Sequence, residues 1–258
     1  MRRAAAHLAA AVALAGCSVG DVDFSGRECP CDIGWTCDMA RNLCFDGLFQ
    51  EGLLLWYPLD EGVVTAARDA TLRGLDAVCS GPCPEQIEGR TGRALVLDGA
   101  MQHLRVEDDP ELRTPDGLSI AVFLRIERAT RGAIVARPRP DEQPGATGWA
   151  LELDGAGRAA FATWDGTSEH RLWTDVGSLH ERAWMHVAGT WDGGTKRLWL
   201  DGVEVAQAGA DVAALDGEIL LGGDASSESL LPLDGAVDDV RIYGRALDAT
   251  ELDALVSQ

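Results

Sequence analysis

The chain has 258 residues and a formal charge of −20, from 42 acidic against 22 basic side chains. So acidic a surface repels nucleic acid and anionic lipid at long range, which excludes phosphate-backbone binding as the function. The length allows one large domain and a small appendage.

At the amino end, Arg2 and Arg3 precede an apolar run from Ala4 to Ala15. The run is too short to span a bilayer and has the layout of an export signal. It ends in Leu14-Ala15-Gly16-Cys17, which resembles the lipobox of bacterial lipoproteins. That resemblance implies a diacylglyceryl group on the Cys17 sulfur, cleavage before Cys17 and removal of residues 1–16. The expected address is the membrane, at the outer membrane or cell surface, because Ser18 stands where an inner-membrane retention signal has Asp. Residues 17–26 are short, polar and Gly-containing, and read as a tether.

Six further cysteines follow: Cys29, Cys31, Cys37, Cys44, Cys79 and Cys83. An even number in an exported chain reads as disulfides. Cys79 and Cys83 can close a small loop, whereas the four in 27–47 allow three pairings that spacing does not distinguish. Residues 27–47 are too few to bury a core and need cross-links to hold shape, as a stalk would. A zinc site is the rival for these thiols; the absence of paired C-x-x-C motifs with nearby histidines argues against it.

From residue 50 the pattern becomes short period-2 runs broken by Gly, Asp and Pro. Leu118, Ile120, Val122, Leu124 and Ile126 fall on one side of a strand, with Ser119, Ala121, Phe123 and Arg125 on the other. Trp149, Leu151 and Leu153 repeat the rhythm, as do Met185, Val187 and Trp191 against Trp184, His186 and Ala188. Arg197 to Val205 reads as a hairpin whose Asp201-Gly202 turn accepts the positive φ of type I′. One helix is expected, at the carboxyl end: Asp248 caps it, Glu251 completes a capping box, and Leu247 staples to Leu252. Many strands and one helix predict an all-β antiparallel sandwich.

Four stretches, 92–99, 184–193, 198–202 and 233–247, resemble in order and spacing the laminin-G-like jelly roll of the concanavalin A-like superfamily. Weaker matches lie at 56–60 and 133–136, so the resemblance spans residues 50–258, with Phe123 where the family usually carries tryptophan. It implies a two-sheet jelly roll with a short carboxy-terminal helix, which binds carbohydrate, protein or matrix. Some members carry calcium.

Within that expected fold, strand parity places Ala236, Asp238, Val240 and Ile242 on one side, so Asp238 enters the core if the aliphatic residues do. A lone buried carboxylate needs a cation, an arginine or several backbone N–H groups. Calcium would serve, with Asp60, Asp98 and Asp238 as candidate ligands. Asp239 is expected to be solvated. Trp164 and Trp173 are candidate platforms for sugar stacking, the alternative being that they cover the sandwich edge.

Catalytic signatures do not emerge. Glu152-Leu-Asp154 begins the E-x-D-x-x-E pattern of related glucanases and lacks its last glutamate. There is no G-x-S-x-G elbow. The Gly155-Ala-Gly157 loop precedes a strand rather than a dinucleotide-binding helix. His103, His170, His180 and His186 lack metal-ligand spacing. The expected function is thus a non-catalytic, lipid-anchored extracytoplasmic module for a glycan or protein ligand. The alternatives are a structural envelope protein without a specific ligand and a glycan hydrolase.

Overall fold

The computed structural model describes residues 51–61, 65–71, 73–79, 81–114, 116–139, 147–213, 216–223 and 231–258, together with strands at 35–38 and 43–46. The expected signal segment, the tether and Cys17, Cys29 and Cys31 lie outside the described residues. Of the segment 27–47, the hairpin β1 (Trp35–Asp38) and β2 (Leu43–Asp46) is described; Cys37 and Cys44 are register partners in it.

Strands then follow in chain order. The first group is β3 (Leu53–Tyr57), β4 (Ala66–Ala67), β5 (Ala77–Cys79), β6 (Glu85–Glu88), β7 (Arg93–Asp98) and β8 (Leu104–Val106). The second is β9 (Leu118–Arg125), β10 (Arg131–Pro138), β11 (Thr147–Asp154), β12 (Ala159–Trp164) and β13 (Glu169–Trp173). The last is β14 (Met185–Trp191), β15 (Thr195–Leu200), β16 (Val203–Gly209), β17 (Ile219–Leu221) and β18 (Asp234–Tyr243), before helix α1 (Ala249–Val256). Among the described residues they form two large antiparallel sheets. The first runs β16-β15-β14-β9-β18-β7-β6, with β3 also on β18; the second runs β13-β12-β11-β10-β17-β8-β5-β4. A disulfide joins Cys79 and Cys83.

The period-2 runs pack as their parity predicts. Leu118, Ile120, Val122 and Leu124 of β9, with Ile126 just beyond it, enter one interlayer core with Trp149, Leu151 and Leu153 of β11. Full burial of each such side chain contributes about 1.5–3 kcal/mol, which makes the interlayer the main source of stability. The layers approach closely where the Phe161 ring of β12 lies against Gly189 of β14, since a Cβ there would fall 2.7 Å from a ring carbon. Lys196, the only lysine, is 2% exposed between the layers. Its ammonium donates to the carbonyls of Phe161 and His170 and to Thr163 Oγ1, and burial lowers its pKa to about 8.

The hairpin turn has φ +48° at Asp201 and +78° at Gly202, the positive pair its sequence predicts. Helix α1 carries the full Asp248–Glu251 capping box, and Leu247, Leu252 and Leu255 join Trp56, Trp199 and Tyr243 in a second cluster on the outer face of the first sheet.

Strand β18 departs from simple alternation. Its register to β9 slips by one residue between Asp238 and Arg241, and Asp239 adopts φ +49°. Val237 enters the interlayer before the slip; Val240 and Ile242 enter it afterwards. Asp238 is therefore opposite Phe123 on the outer face, correcting the expectation that it shares a side with Val240 and Ile242. Asp239, expected in solvent, is 8% exposed. Its carboxylate accepts the Trp56 indole N–H at 2.6 Å and pairs with Arg241 at 3.1 Å, while the Arg241 guanidinium stacks 4.9 Å from the Trp56 ring centre. Beside them His186, 2% exposed, packs edge-on against Phe123 at 5.0 Å between ring centres.

Two consequences are testable. Gly189→Ala should destabilise by about 1–3 kcal/mol through overpacking against Phe161, and adding Phe161→Leu should recover part of the loss in urea melts. Burial lowers the His186 pKa to about 4, so folded His186 stays neutral while the unfolded chain takes up a proton below about pH 6.5. Stability from this residue is therefore complete above pH 6.5 and falls towards pH 4 by up to about 3 kcal/mol. Urea midpoints from pH 7 to 4 should drop further in the wild type than in His186→Gln; equal drops would sink this assignment.

Candidate functional site

The three aspartates expected to hold calcium do not converge. Asp238, fully buried, accepts the backbone N–H groups of Arg90 at 2.8 Å and Thr91 at 3.1 Å. Asp60 accepts the N–H of Arg93 at 2.7 Å from the other side of the same β6–β7 turn. The turn must stay bare for this: a Cβ on Gly89 would sit 2.6 Å from the Asp238 carboxylate, and Gly92, at φ +62°, would drive one into Asp60. Asp98 lies at the far end of the six-residue β7, about 16 Å away by strand rise. There its carboxylate accepts the N–H groups of Ala100 and Met101, which hold it below its usual pKa against a burial penalty. Among the described residues no three His, Cys, Asp or Glu side chains are grouped to hold a metal. The structure therefore does not group the three as calcium ligands among the described residues, and the Asp238 carboxylate meets backbone amides.

The two outer faces of the sandwich differ. Outside the second sheet, the side chains between the inward-facing ones are small: Ala133 and Ala136 of β10, Ala150 of β11 and Ala162 of β12 form one buried cluster. Ala160 is buried with them. The hairpin register of β12 and β13 sets three outward pairs on that side: Ala160 with Trp173, Ala162 with Arg171, and Trp164 with Glu169. Trp164 and Trp173, both half-buried, therefore stand on one face, about 13 Å apart along the strands. Guanidiniums lie over both rings, Arg139 at 4.8 Å from Trp164 and Arg158 at 4.6 Å from Trp173.

At the Trp173 end the face opens into a cleft of about 410 Å³, lined by Arg131, Glu152, Asp154, Arg158, Arg171 and Trp173. Glu152 and Asp154 are two residues apart on β11 and face the same way. Arg171 bridges Glu152 and Glu169. Arg158 grips Asp154 through Nε at 2.5 Å. Burial raises the Glu152 pKa above the ordinary carboxylate value, with Arg171 pulling it back. Asp154 ends below its ordinary value, because the amide of Ala156 and the contacts of Arg158 outweigh its burial. A second hollow, of about 280 Å³ and lined by Asp165, His170 and Asp211, has no aromatic wall.

Such a cleft combines an aromatic edge with paired polar groups of fixed orientation, features suited to binding a polyhydroxylated ring. Trp164 and Trp173 were legible as candidates because they sit in strand-like runs either side of a turn. The arginines were not, since their meeting depends on three strands separated by up to 42 positions, from Arg131 to Trp173.

The family model Laminin_G_3, described as concanavalin A-like lectin/glucanases superfamily, matches residues 98–253. No curated protein sequence matches the chain. Among solved structures, the binding domain of Paraclostridial Mosquitocidal Protein 1 superposes with TM-score 0.61 at 14% identity, over 80% of this chain and 52% of that one. The chain thus spans about half the length of that domain. A Trypanosoma rangeli sialidase in complex with sialic acid gives TM-score 0.60 at 17% identity, over 80% and 32%. Domain 4 of AbnA, a GH43 extracellular arabinanase from Geobacillus stearothermophilus in complex with arabinotriose, gives 0.54 at 19%, over 79% and 98%. At these identities the structural likeness establishes the jelly-roll fold. With more than half its length matched by the family model, the chain belongs to the concanavalin A-like lectin/glucanases superfamily.

Proposed function

We propose that this protein is an exported, lipid-anchored, non-catalytic carbohydrate-binding module whose ligand lies across the outer face of β10–β13. The observation that carries this reading is the cleft on the outer face of β10–β13, with the half-buried Trp173 at its edge and Trp164 on the same face. The half-buried Trp173 indole edges that cleft and offers a surface for a sugar ring beside polar groups that are already oriented. A binding role accords with the neighbours named as a toxin binding domain and as an arabinanase domain holding arabinotriose. Export accords with the Cys79–Cys83 disulfide, which persists in an oxidising compartment. Anchoring rests on Leu14-Ala15-Gly16-Cys17.

Hydrolysis is the second reading, favoured by the buried, pKa-raised Glu152 two residues from Asp154 on one strand face. Arginines engage both carboxylates, so neither is free to exchange a proton with a substrate, and binding is the stronger reading.

A glycan array on the full chain should give binding that Trp173→Ala weakens by about tenfold with no loss of melting temperature, since stacking surfaces contribute about 1 kcal/mol or more. New reducing ends appearing from bound polysaccharide would instead establish hydrolysis. Cys17→Ala should move the protein from the membrane to the soluble fraction; unchanged fractionation would remove the anchor from this proposal.

A further inference from the structure

The arginines of the cleft are unevenly employed. Arg171 is committed, its Nε to Glu152 and one Nη to Glu169. Arg158 uses Nε on Asp154 and lays its plane on Trp173, which leaves both Nη groups without a hydrogen bond or ion pair among the described residues. Arg131, exposed at the start of β10, makes none at all among them. Its register partner is Asp154, on the strand whose outer face carries the cleft carboxylates. Two guanidinium edges therefore border one cleft beside an aromatic ring, in a protein whose overall charge is −20.

The ion pairing narrows what they meet. Glu152 and Glu169 hold Arg171, and Asp154 holds Arg158, which leaves Arg131 as the lining cation without an ion pair among the described residues. One such cation suits a single negative group on the ligand. A dense polyanion would meet Glu152 and Asp154 locally and the acidic surface beyond. A planar fork of N–H donors matches a carboxylate with two parallel hydrogen bonds, stronger than those to a neutral hydroxyl.

Building on the carbohydrate-binding reading above, we propose that the cleft selects an acidic sugar, with Arg131 and the Nη edge of Arg158 receiving its carboxylate while the ring lies beside Trp173. The sugar's hydroxyls fall to the Glu152–Arg171 side, where both polar groups are already oriented.

Titration calorimetry on the full chain tests this with matched ligands. One pair is an oligogalacturonide and its methyl ester; the other is sialyllactose and lactose. In at least one pair the acid should bind about tenfold tighter than its neutral partner, the effect of a charge-assisted hydrogen bond. Arg131→Gln should abolish that preference; Arg131→Lys, keeping charge but losing the fork, should restore it in part. Equal affinity for acid and neutral forms would overturn acid selection while leaving carbohydrate binding intact. So would a preference that survives Arg131→Gln, or competition by dextran sulfate or poly-glutamate as effective as the free sugar acid. Failure of these four ligands and of the glycan array together would sink the carbohydrate reading itself.

Discussion

The one extra residue at Asp239 governs much of the architecture. A non-glycine residue at positive φ is strained by roughly 1 kcal/mol, and here the Asp239 carboxylate offsets it by accepting the Trp56 indole N–H and holding Arg241. The insertion inverts which side of β18 faces the core, as any one-residue slip does. It also coincides with a change of neighbour: residues 234–237 pair with β7, and residues 240–243 pair with β3. The outward turn of Asp238 lets it receive the amides of the β6–β7 turn, so one irregularity seats β3, β7 and the β6–β7 turn together. Arg241 extends the arrangement to the last residue by donating to the Gln258 side chain at 2.7 Å.

This central arrangement also divides the labour between the two outer faces. On the first sheet the outer face is filled by Trp56, Tyr243, Trp199 and the leucines of α1, with His186 and Phe123 buried alongside. Large side chains there are consumed in packing. On the second sheet the outward positions of β10–β12 include a buried cluster of alanines, and the cleft with its arginines and carboxylates lies towards β11–β13. The cleft leaves space next to groups that are already ordered, which is what a ligand site requires and a packed core forbids.

Sequence reasoning reached the sandwich, the β9 and β11 cores, the Asp201-Gly202 turn and the capped helix because each depends on contacts within a few residues or on plain alternation. It misplaced Asp238 and Asp239 because parity assumes an unbroken strand, and nothing local in Val237-Asp238-Asp239-Val240 announces that the extra residue is stabilised by Trp56, 183 positions away. The calcium grouping failed for a related reason. Asp60 and Asp238 do approach the same turn, but Asp98 belongs to the opposite end of β7, and spacing along the chain does not reveal which strand end faces which. In the cleft, the aromatic members were visible as isolated tryptophans, whereas Arg131, Arg158 and Arg171 read singly as ordinary surface charges.

The ion pairs of the cleft bear on how such a site gains affinity. Arginine side chains are flexible, and fixing them at the moment of binding offsets part of what their hydrogen bonds contribute. Here Glu152 and Glu169 hold Arg171, and Asp154 with the Trp173 ring holds Arg158, before any ligand arrives. Glu152 and Asp154, which resemble a hydrolytic pair by position, each engage an arginine. Arg131 is the exception, exposed and free to adjust, so the site joins a rigid wall to one adaptable cation. In such an arrangement the wall fixes the plane in which a ring can lie, and the adaptable cation decides which substituent on that ring is accepted.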